Sequence, residues 1–257
     1  EQPVDVLAGT GEKRQAKFWA TKTETACRVR GRIESVLDWA KGRGLRKGEN
    51  PAGWKGNLDA QLAKPSRVKK VEHFPALPID ELPKFMAVLR SEVGMAARAL
   101  ELAILCGSRS GEVRQATWSE FDLDAAMWVV PADHMKGGRE HRVPLSRQAV
   151  ELLKSLPVVD GETLVFPGRT GGPLSDMSIT AVMRRLKRKE VPHGFRSTFR
   201  DWLAERTSYP RDMAEMALAH TINSEVEASY RRGDMLEKRH QMMQDWADFA
   251  LPSPAHL

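Results

Sequence analysis

The sequence predicts a mainly α-helical fold with a small antiparallel β-sheet, divided into two domains. Apolar residues recur with helical spacing over much of the chain, as they do in residues 82–89. Helical spacing fails after Asp124, where residues 127–130 and 142–145 are typical of two short strands around a glycine-containing turn. Segment 64–78 is basic, contains prolines and lacks periodicity, so we interpret it as a linker between domains.

The first domain, residues 1–72, is predicted to contain one long helix. Residues 1–17 are polar and include two glycines, and we expect no regular structure there. The motif Thr21-Lys-Thr-Glu24 fits a capping box, in which the outer two side chains satisfy free backbone donors at a helix start. Apolar residues then follow helical spacing until Gly42 ends the pattern.

The second domain, residues 73–257, is predicted to surround a central helix. Residues 96–106 are nearly all apolar, which indicates a helix buried on most sides. Ser110 is a suitable N-cap for the next helix, with Glu112 in its first turn. Further helices are expected from Ser146, Ser175, His193, Pro210 and Asn223, and over residues 234–249.

Charge, cysteine content and hydropathy limit the classes of protein to which the chain can belong. Forty basic and 34 acidic residues give a formal charge of +6, which is compatible with a polyanionic partner. Cys27 and Cys106 form no motif, so we expect reduced thiols in a cytoplasmic protein. No apolar run long enough to span a membrane and no signal peptide is evident. Because the first residue is Glu1 and not Met, we expect a fragment or a processed product.

Residues 193–230 concentrate the candidate functional groups. They contain His193-Gly-Phe-Arg196, then His220, then Tyr230, which is one of only two tyrosines. Each group alone has a structural explanation: a histidine can be a satisfied interior residue, and a tyrosine can belong to the core. The same holds upstream, where Arg109 could form an ordinary ion pair with Glu112 and Lys136 could be a turn lysine.

Together these residues resemble the tyrosine recombinases, or phage integrases. Arg109-Ser-Gly-Glu112, Lys136, His193-Gly-Phe-Arg196, His220 and Tyr230 occur in the order and approximate spacing of that family. Neighbouring motifs are similar to integrases of P4-type prophages and genomic islands, from about residue 18 to residue 249. These motifs are Arg139-Glu-His-Arg-Val-Pro-Leu-Ser146, Phe166-Pro-Gly-Arg169, Ala214-Glu-Met-Ala-Leu-Ala-His220 and Tyr230-Arg-Arg-Gly-Asp234.

The resemblance implies a chemistry that these residue types can perform. Cleavage of a phosphodiester builds negative charge on phosphoryl oxygens, which the planar forks of Arg109 and Arg196 can stabilise. A phenol has a reference pKa of about 10, so Tyr230 needs help to become a nucleophile. His193 is the candidate base, and Lys136, on a flexible hairpin tip, is the candidate acid for the departing 5′ oxygen.

The remaining roles also follow from the resemblance. His220 is expected to be a second phosphate donor, and Glu112 to orient Arg109. The product is a 3′-phosphotyrosyl ester with a free 5′ hydroxyl. Because one phosphoester replaces another, the scheme requires no cofactor and no metal ion.

The resemblance implies double-stranded DNA attachment sites as the partner. A helical, SAM-like core-binding domain and the catalytic domain would clamp the duplex, with basic side chains on phosphates. The candidates for these phosphate contacts are Arg28, Arg30, Arg32, Lys69, Lys70, Arg184, Arg185, Lys187 and Arg188.

Assembly and setting are further expectations of the resemblance. It implies a homo-tetramer in the synaptic complex, accessory DNA-bending or excision proteins, no membrane, and a bacterial, nucleoid-associated location. Two arrangements of the C-terminal helix stay open. Its apolar side chains could pack on their own core, or on a neighbouring protomer; the residues concerned are Met242, Met243, Trp246 and Phe249.

Three other classes remain as alternatives. A type IB topoisomerase uses a similar tyrosine, arginine and lysine set but relaxes DNA without a defined site. A catalytically silent DNA-binding regulator would keep the fold without the reaction. A helical protein that binds no DNA would show no affinity that weakens as salt rises.

Overall fold

A computed structural model describes residues 3–7, 13–68, 75–220 and 234–252, with side chains from Lys17 onward. The chain divides into two compact units, Glu1–His73 and Phe74–Leu257. The predicted fold class is confirmed, because helices dominate and a small antiparallel sheet lies in the second unit.

The first unit begins with a β-hairpin that the sequence analysis did not predict. Val4 and Val6 alternate with other residues at the period of a strand, which the nearby glycines obscured. Its elements are β1 (Pro3–Leu7), β2 (Lys13–Lys17), α1 (Phe18–Thr21), α2 (Thr23–Gly42), a 3₁₀ turn (Leu58–Ala60) and α3 (Pro65–Val68). Strands β1 and β2 pair antiparallel.

The predicted capping box at the start of the long helix is wrong. The Thr21 hydroxyl donates to the Lys17 carbonyl at 2.6 Å, because Thr21 already lies in α1. Helix α2 starts at Thr23, and Glu24 pairs with Arg28 one turn later. The predicted end at Gly42 is confirmed.

The core of the first unit is small and aromatic. The Trp19 indole donates to the Ala63 carbonyl at 2.8 Å, and its ring stacks on Trp54 with centroids 5.4 Å apart. Much of the apolar stripe of α2 lies at the surface of this unit, where Ile33 is 49% exposed and Val36 is 63% exposed. Helical spacing therefore identified the helix, although several of its stripe residues remain exposed.

The second unit is built around α5, as predicted. This helix packs against five others, and its residues from Ala99 to Cys106 are all buried. The helices of the unit are α4 (Leu82–Ser91), α5 (Met95–Cys106), α6 (Ser110–Gln115), α7 (Arg147–Lys154), α8 (Ser178–Arg185), α9 (Gly194–Arg206), α10 (Arg211–Ala217) and α11 (Leu236–Ala250). Short 3₁₀ turns lie at Ile79–Glu81 and Trp118–Glu120.

Most predicted helix starts agree with the structure within a few residues. The Ser146 hydroxyl caps α7 by accepting from the Ala149 amide at 3.2 Å, which confirms the predicted cap. The helix expected from Ser175 begins at Ser178. The helix expected from Asn223 lies outside the described residues.

The sheet of the second unit has three antiparallel strands. They are β3 (Phe121–Asp122), β4 (Met127–Val130) and β5 (His141–Pro144), in that spatial order. Trp128 lies opposite Val143, and both are buried. The two predicted strands agree with β4 and β5 within one residue. Strand β3 was not predicted, because two residues are too short to show a period.

Helix α11 packs on its own core, which is the first of the two arrangements left open. Met242, Met243 and Trp246 are fully buried in the second unit. The Trp246 indole donates to the carbonyl of Ile104 in α5 at 2.8 Å, and Phe249 packs beside it. Met242, Met243 and Trp246 therefore belong to the core of their own unit, and Phe249 is partly buried against it.

Candidate active site

Arg196 lies at the floor of the candidate site, in the first turn of α9. Its side chain is almost fully enclosed, with the residue 5% exposed. The guanidinium donates to the carbonyls of Gly107 and Leu218, and its Nη2 lies 3.2 Å from His220 Nε2. Gly107 supplies its carbonyl because it ends α5 in the left-handed conformation, at φ 60°. Two separate segments, one at the end of α5 and one after α10, thus hold one arginine fork.

Gly194 allows the chain to approach the start of α9 closely. A Cβ at this position would lie 2.2 Å from the Pro75 carbonyl oxygen, a separation that two atoms cannot adopt. One turn later, the Thr198 hydroxyl donates to the Leu77 carbonyl at 2.7 Å. The segment after the first unit therefore braces the turn that carries His193 and Arg196.

Arg109 precedes α6 and is held by Glu112 from two directions. One carboxylate oxygen accepts from the Arg109 backbone amide at 2.8 Å, and the other accepts from Arg109 Nη1 at 2.7 Å. Arg109 Nη2 lies 3.4 Å from the Ala219 carbonyl oxygen. Arg109 therefore occupies the N-cap position that we predicted for Ser110, and Glu112 aims its side chain.

His220 is turned away from the axis of α10 by a left-handed residue. Helix α10 ends at Ala217, and Ala219 has φ 47°, a conformation that is unfavourable for alanine. The His220 amide donates to the Glu215 carbonyl at 3.0 Å. Its ring Nδ1 lies 2.6 Å from Glu215 Oε2. Glu215 thus holds His220 by both backbone and side chain.

Lys136 lies on the β4–β5 hairpin at the rim of the site. Its side chain is exposed, but the hairpin is anchored beside it. Met135 is buried, and His134 Nδ1 lies 3.2 Å from a carboxylate oxygen of Glu120. Lys136, Arg109, Glu112 and His193 line one cavity of about 520 Å³.

The electrostatics of these groups are coupled. Burial lowers the pKa of Arg196 to about 10, and repulsion from Arg109 adds to that effect, whereas Glu112 and Glu215 oppose it. Burial also lowers the pKa of His193, followed by repulsion from the cationic groups around it. These groups are Arg196, Arg109, His220 and Lys136. The structure therefore brings together every predicted catalytic group that it describes.

Tyr230 lies outside the described residues. The other tyrosine, Tyr209, donates its hydroxyl to Asp245 at 2.5 Å. Burial and the Asp245 carboxylate raise the pKa of Tyr209 to about 12. Tyr209 is therefore a poor source of phenolate.

The predicted DNA-contacting residues fall into three groups. Several already pair with carboxylates of their own unit: Arg28 with Glu24, Arg30 with Glu34, Arg185 with Glu92, and Arg188 with Glu81 and Glu190. Arg32, Arg184 and Lys187 are exposed and form no ion pair with any residue the structure describes. Lys69 and Lys70 lie outside the described part of the chain.

Two residues that contribute to the site were missed in the sequence. Glu215 lies inside the motif that ends at His220. It was overlooked because a separation of five residues does not place two side chains on the same face of a helix. His141 lies in β5, and its Nε2 is 3.2 Å from the carbonyl oxygen of Ala217 at the end of α10. Burial, followed by repulsion from Arg239, lowers the pKa of His141 to about 4. A neutral His141 therefore links the sheet to the turn that carries His220.

The described residues contain neither a candidate membrane-spanning helix nor a candidate metal-binding cluster. Among them, no helix combines the length and apolarity needed to cross a bilayer. Within the same ranges, His, Cys, Asp and Glu side chains form no group of three or more arranged to hold a metal ion.

Comparison with known proteins matches both units. Residues 76–237 match the phage integrase family, and residues 14–57 match the phage integrase central domain. The chain is 34% identical over 232 residues to prophage integrase IntA of Escherichia coli (strain K12), covering 88% of this chain and 54% of that protein. It is 33% identical over 250 residues to the integrase of Enterobacteria phage P4, covering 89% of this chain and 55% of that protein. The chain thus spans about half the length of these curated relatives.

Solved structures show the same fold. A lambda integrase tetramer bound to a Holliday junction superposes with a TM-score of 0.56 at 20% identity. The superposition covers 80% of this chain and 61% of that one. At this identity the superposition supports the fold alone. The family match spans more than half of the chain and includes Arg109, Lys136, His193, Arg196, His220 and Tyr230, so the chain belongs to the phage integrase family.

Proposed function

We propose that this protein is a site-specific tyrosine recombinase that cleaves and rejoins DNA through a 3′-phosphotyrosyl intermediate. One observation carries the proposal: Arg109, Lys136 and His193 line one cavity, and the charges of Arg196 and His220 act on His193 at close range. Burial, followed by repulsion from Arg109, lowers the pKa of Arg196. A buried cation held close to other cations indicates an anionic ligand.

A phosphodiester fits this cluster in charge and shape. Arg196 and Arg109 present N–H groups that can grip two phosphoryl oxygens, and arginine keeps its charge near neutral pH. Charge builds on those oxygens as the bond to the leaving group breaks. Donors already fixed by Gly107, Leu218 and Glu112 stabilise that state without having to reorganise.

The proton transfers can be assigned to the remaining groups. The Tyr230 oxygen forms a bond to phosphorus, and the bond between phosphorus and the 5′ oxygen breaks. The phenolic proton passes to His193, whose lowered pKa keeps the ring neutral and able to accept it. Lys136 donates a proton to the departing 5′ oxygen. The reverse steps join a new strand with no external energy source.

The domain roles belong to the same proposal. Residues 1–72 would grip the duplex as a core-binding domain, and residues 73–257 would perform the reaction. Arg32, Arg184 and Lys187 are the described candidates for phosphate contacts that would break no ion pair seen here. The names of the relatives support integration or excision of a prophage. The lambda integrase tetramer supports a homo-tetramer on duplex attachment sites.

The test of the proposal is covalent trapping on a nicked suicide substrate carrying the attachment site. The parent protein is expected to form a protease-sensitive, covalent DNA adduct. Tyr230→Phe should bind the same DNA with similar affinity and form no adduct, because it lacks the attacking oxygen.

Tyr209→Phe is the matched control, since it removes the other phenol of the chain. It should retain adduct formation within about threefold, because the Tyr209 hydroxyl is engaged with Asp245. An adduct from Tyr230→Phe comparable to that of the parent would overturn the assignment of the nucleophile.

A further inference from the structure

We infer that Glu215 is a positioning residue that fixes both the orientation of the His220 ring and the nitrogen that carries its proton. The inference rests on the proposed function, because it concerns how His220 is presented to a phosphate. Its basis is the contact of 2.6 Å between Glu215 Oε2 and His220 Nδ1.

The chemistry of the contact determines the tautomer. An ionised carboxylate only accepts hydrogen bonds, so His220 Nδ1 must carry the proton in this contact. The opposite nitrogen, Nε2, is then an acceptor in the neutral ring. Arg196 Nη2 lies 3.2 Å from it and can donate. Glu215 therefore leaves Nε2 as the nitrogen that faces the arginine of the site.

The backbone makes this pairing rigid. Because Ala219 is left-handed, the chain folds back and the His220 amide reaches the Glu215 carbonyl at 3.0 Å. The second carboxylate oxygen, Oε1, lies 2.9 Å from Arg200 Nη2 and 4.0 Å from Arg211 Nε. Glu215 is thus held on one side by arginines and holds His220 on the other.

The charges around His220 explain why an acidic partner is needed there. Arg196 faces its ring from α9, and Arg109 approaches the preceding carbonyl from the start of α6. His193 lies close enough to His220 for repulsion between the two rings to lower the pKa of His193. Among the described groups near His220, Glu215 is the carboxylate in direct contact with its ring.

A phosphate would change what His220 must do. To donate to a phosphoryl oxygen, Nε2 needs a proton, and the ring becomes an imidazolium with both nitrogens protonated. Glu215 stabilises that cation through its negative charge while keeping Nδ1 in place. The carboxylate therefore acts on the ring before and after DNA binds, without touching the substrate itself.

The experiment compares Glu215→Gln and Glu215→Ala with the parent protein. Glutamine keeps an acceptor oxygen but loses the charge, whereas alanine loses both. Glu205→Gln is the matched control, because Glu205 is exposed near the end of α9 and lies outside the site. Single-turnover adduct formation is measured from pH 6 to pH 9. In addition, ¹⁵N NMR of the DNA-free protein, assigned with His220→Gln, reports which ring nitrogen is protonated.

We expect Glu215→Ala to lose about 100-fold in cleavage rate and Glu215→Gln about tenfold at pH 8. The loss in Glu215→Gln should be the smaller of the two, because glutamine keeps an acceptor for the Nδ1–H group of His220. The parent ring should show a proton on Nδ1, and Glu215→Ala should lose that preference. Glu205→Gln should match the parent within about twofold.

Two results would overturn the inference. One is an unchanged ring spectrum in both Glu215 variants. The other is equal loss of rate in both variants at every pH, which would indicate a purely structural role. If the parent forms no adduct at all, the proposed function fails, yet the ring spectra still decide whether Glu215 fixes the tautomer.

Discussion

Arg196 and Arg109 bring the same charge to the candidate site, yet the protein holds them in different ways. Arg196 is enclosed and donates to two neutral backbone carbonyls, those of Gly107 and Leu218. Arg109 is partly exposed and is paired with the Glu112 carboxylate. One arginine is therefore fixed by the fold, and the other is aimed by a single side chain.

The difference shows how a protein can keep a full positive charge inside a site. Carbonyl dipoles orient a guanidinium without neutralising it, and the pKa of Arg196 is lowered to about 10 as a result of burial and of repulsion from Arg109. A carboxylate orients a guanidinium and also offsets its charge. We therefore expect Arg196 to supply more of the stabilisation of a phosphoryl group than Arg109.

The largest expected effect comes from replacing each arginine with lysine. Arg196→Lys should lower the rate of adduct formation by about 1000-fold, since an ammonium lacks the planar fork that reaches two carbonyls on separate segments and still presents donors to a phosphate. Arg109→Lys should lower it by about 100-fold, because lysine can still pair with Glu112. Single-turnover trapping on the suicide substrate gives both rates.

Arg206→Lys is the control for these variants, because Arg206 ends the same helix as Arg196 and pairs with Asp80 at the surface. It should behave as the parent does. Circular dichroism spectra confirm that each variant is folded. Equal losses at the two active-site positions would show that burial and carbonyl contacts do not distinguish the arginines.

A smaller effect is expected in the pH dependence of cleavage. Burial and the surrounding cations lower the pKa of His193 below its ordinary value of about 6.5. In the proposed reaction the neutral His193 ring accepts the tyrosine proton, so cleavage should persist below pH 6.5 and decline as pH falls through the lowered pKa. Arg109→Gln removes one repelling charge, so the acid limb of its rate profile should move to higher pH.

The profile is measured by adduct formation from pH 4.5 to pH 8. A parent acid limb centred above pH 6.5 would contradict the assignment of His193 as the base.

The lowered pKa of His193 also makes folding less favourable in acid. The unfolded state takes up a proton at His193 near pH 6.5, and the folded state does so only at lower pH.

Local patterns predicted much of this fold, and contacts between distant segments supplied the rest. The buried helix α5, the Ser146 cap and strands β4 and β5 follow from spacing and turn residues that act over a few positions. The carbonyls that hold Arg196 come from Gly107, 89 residues earlier, and from Leu218. The spacing of apolar residues along a segment does not indicate which distant segments that segment will contact.

The residue types of the candidate site and one support, Glu112, were predicted from the sequence, but the supports of Arg196 and His220 were not. Family order identified Arg109 and His220, because reactive groups recur at fixed motifs. Glu215 was overlooked because its contact with His220 depends on the left-handed turn at Ala219, which α10 spacing does not reveal. In α2 the spacing correctly predicted a helix, but several of its apolar side chains are exposed. Helical spacing alone does not determine what covers an apolar face.

The smallest expected effect concerns the turn after α10, whose carbonyls contact both arginines. Arg196 donates to the Leu218 carbonyl and Arg109 approaches the next one, that of Ala219, whose φ is 47°. An alanine in this region costs on the order of 1 kcal/mol relative to glycine. Ala219→Gly should therefore raise the melting temperature by about 2–4 °C, with cleavage within about threefold of the parent.

Ala126→Gly is the control for this last variant, because Ala126 is also left-handed, at φ 51°, but lies in the turn between β3 and β4. It should give a similar rise in melting temperature and no change in cleavage. If Ala219→Gly gained stability but lost cleavage well beyond threefold, the methyl group of Ala219 would be holding the turn for both arginines. The consecutive carbonyls would then be a shared support, and the two arginines would differ less than their separate contacts indicate.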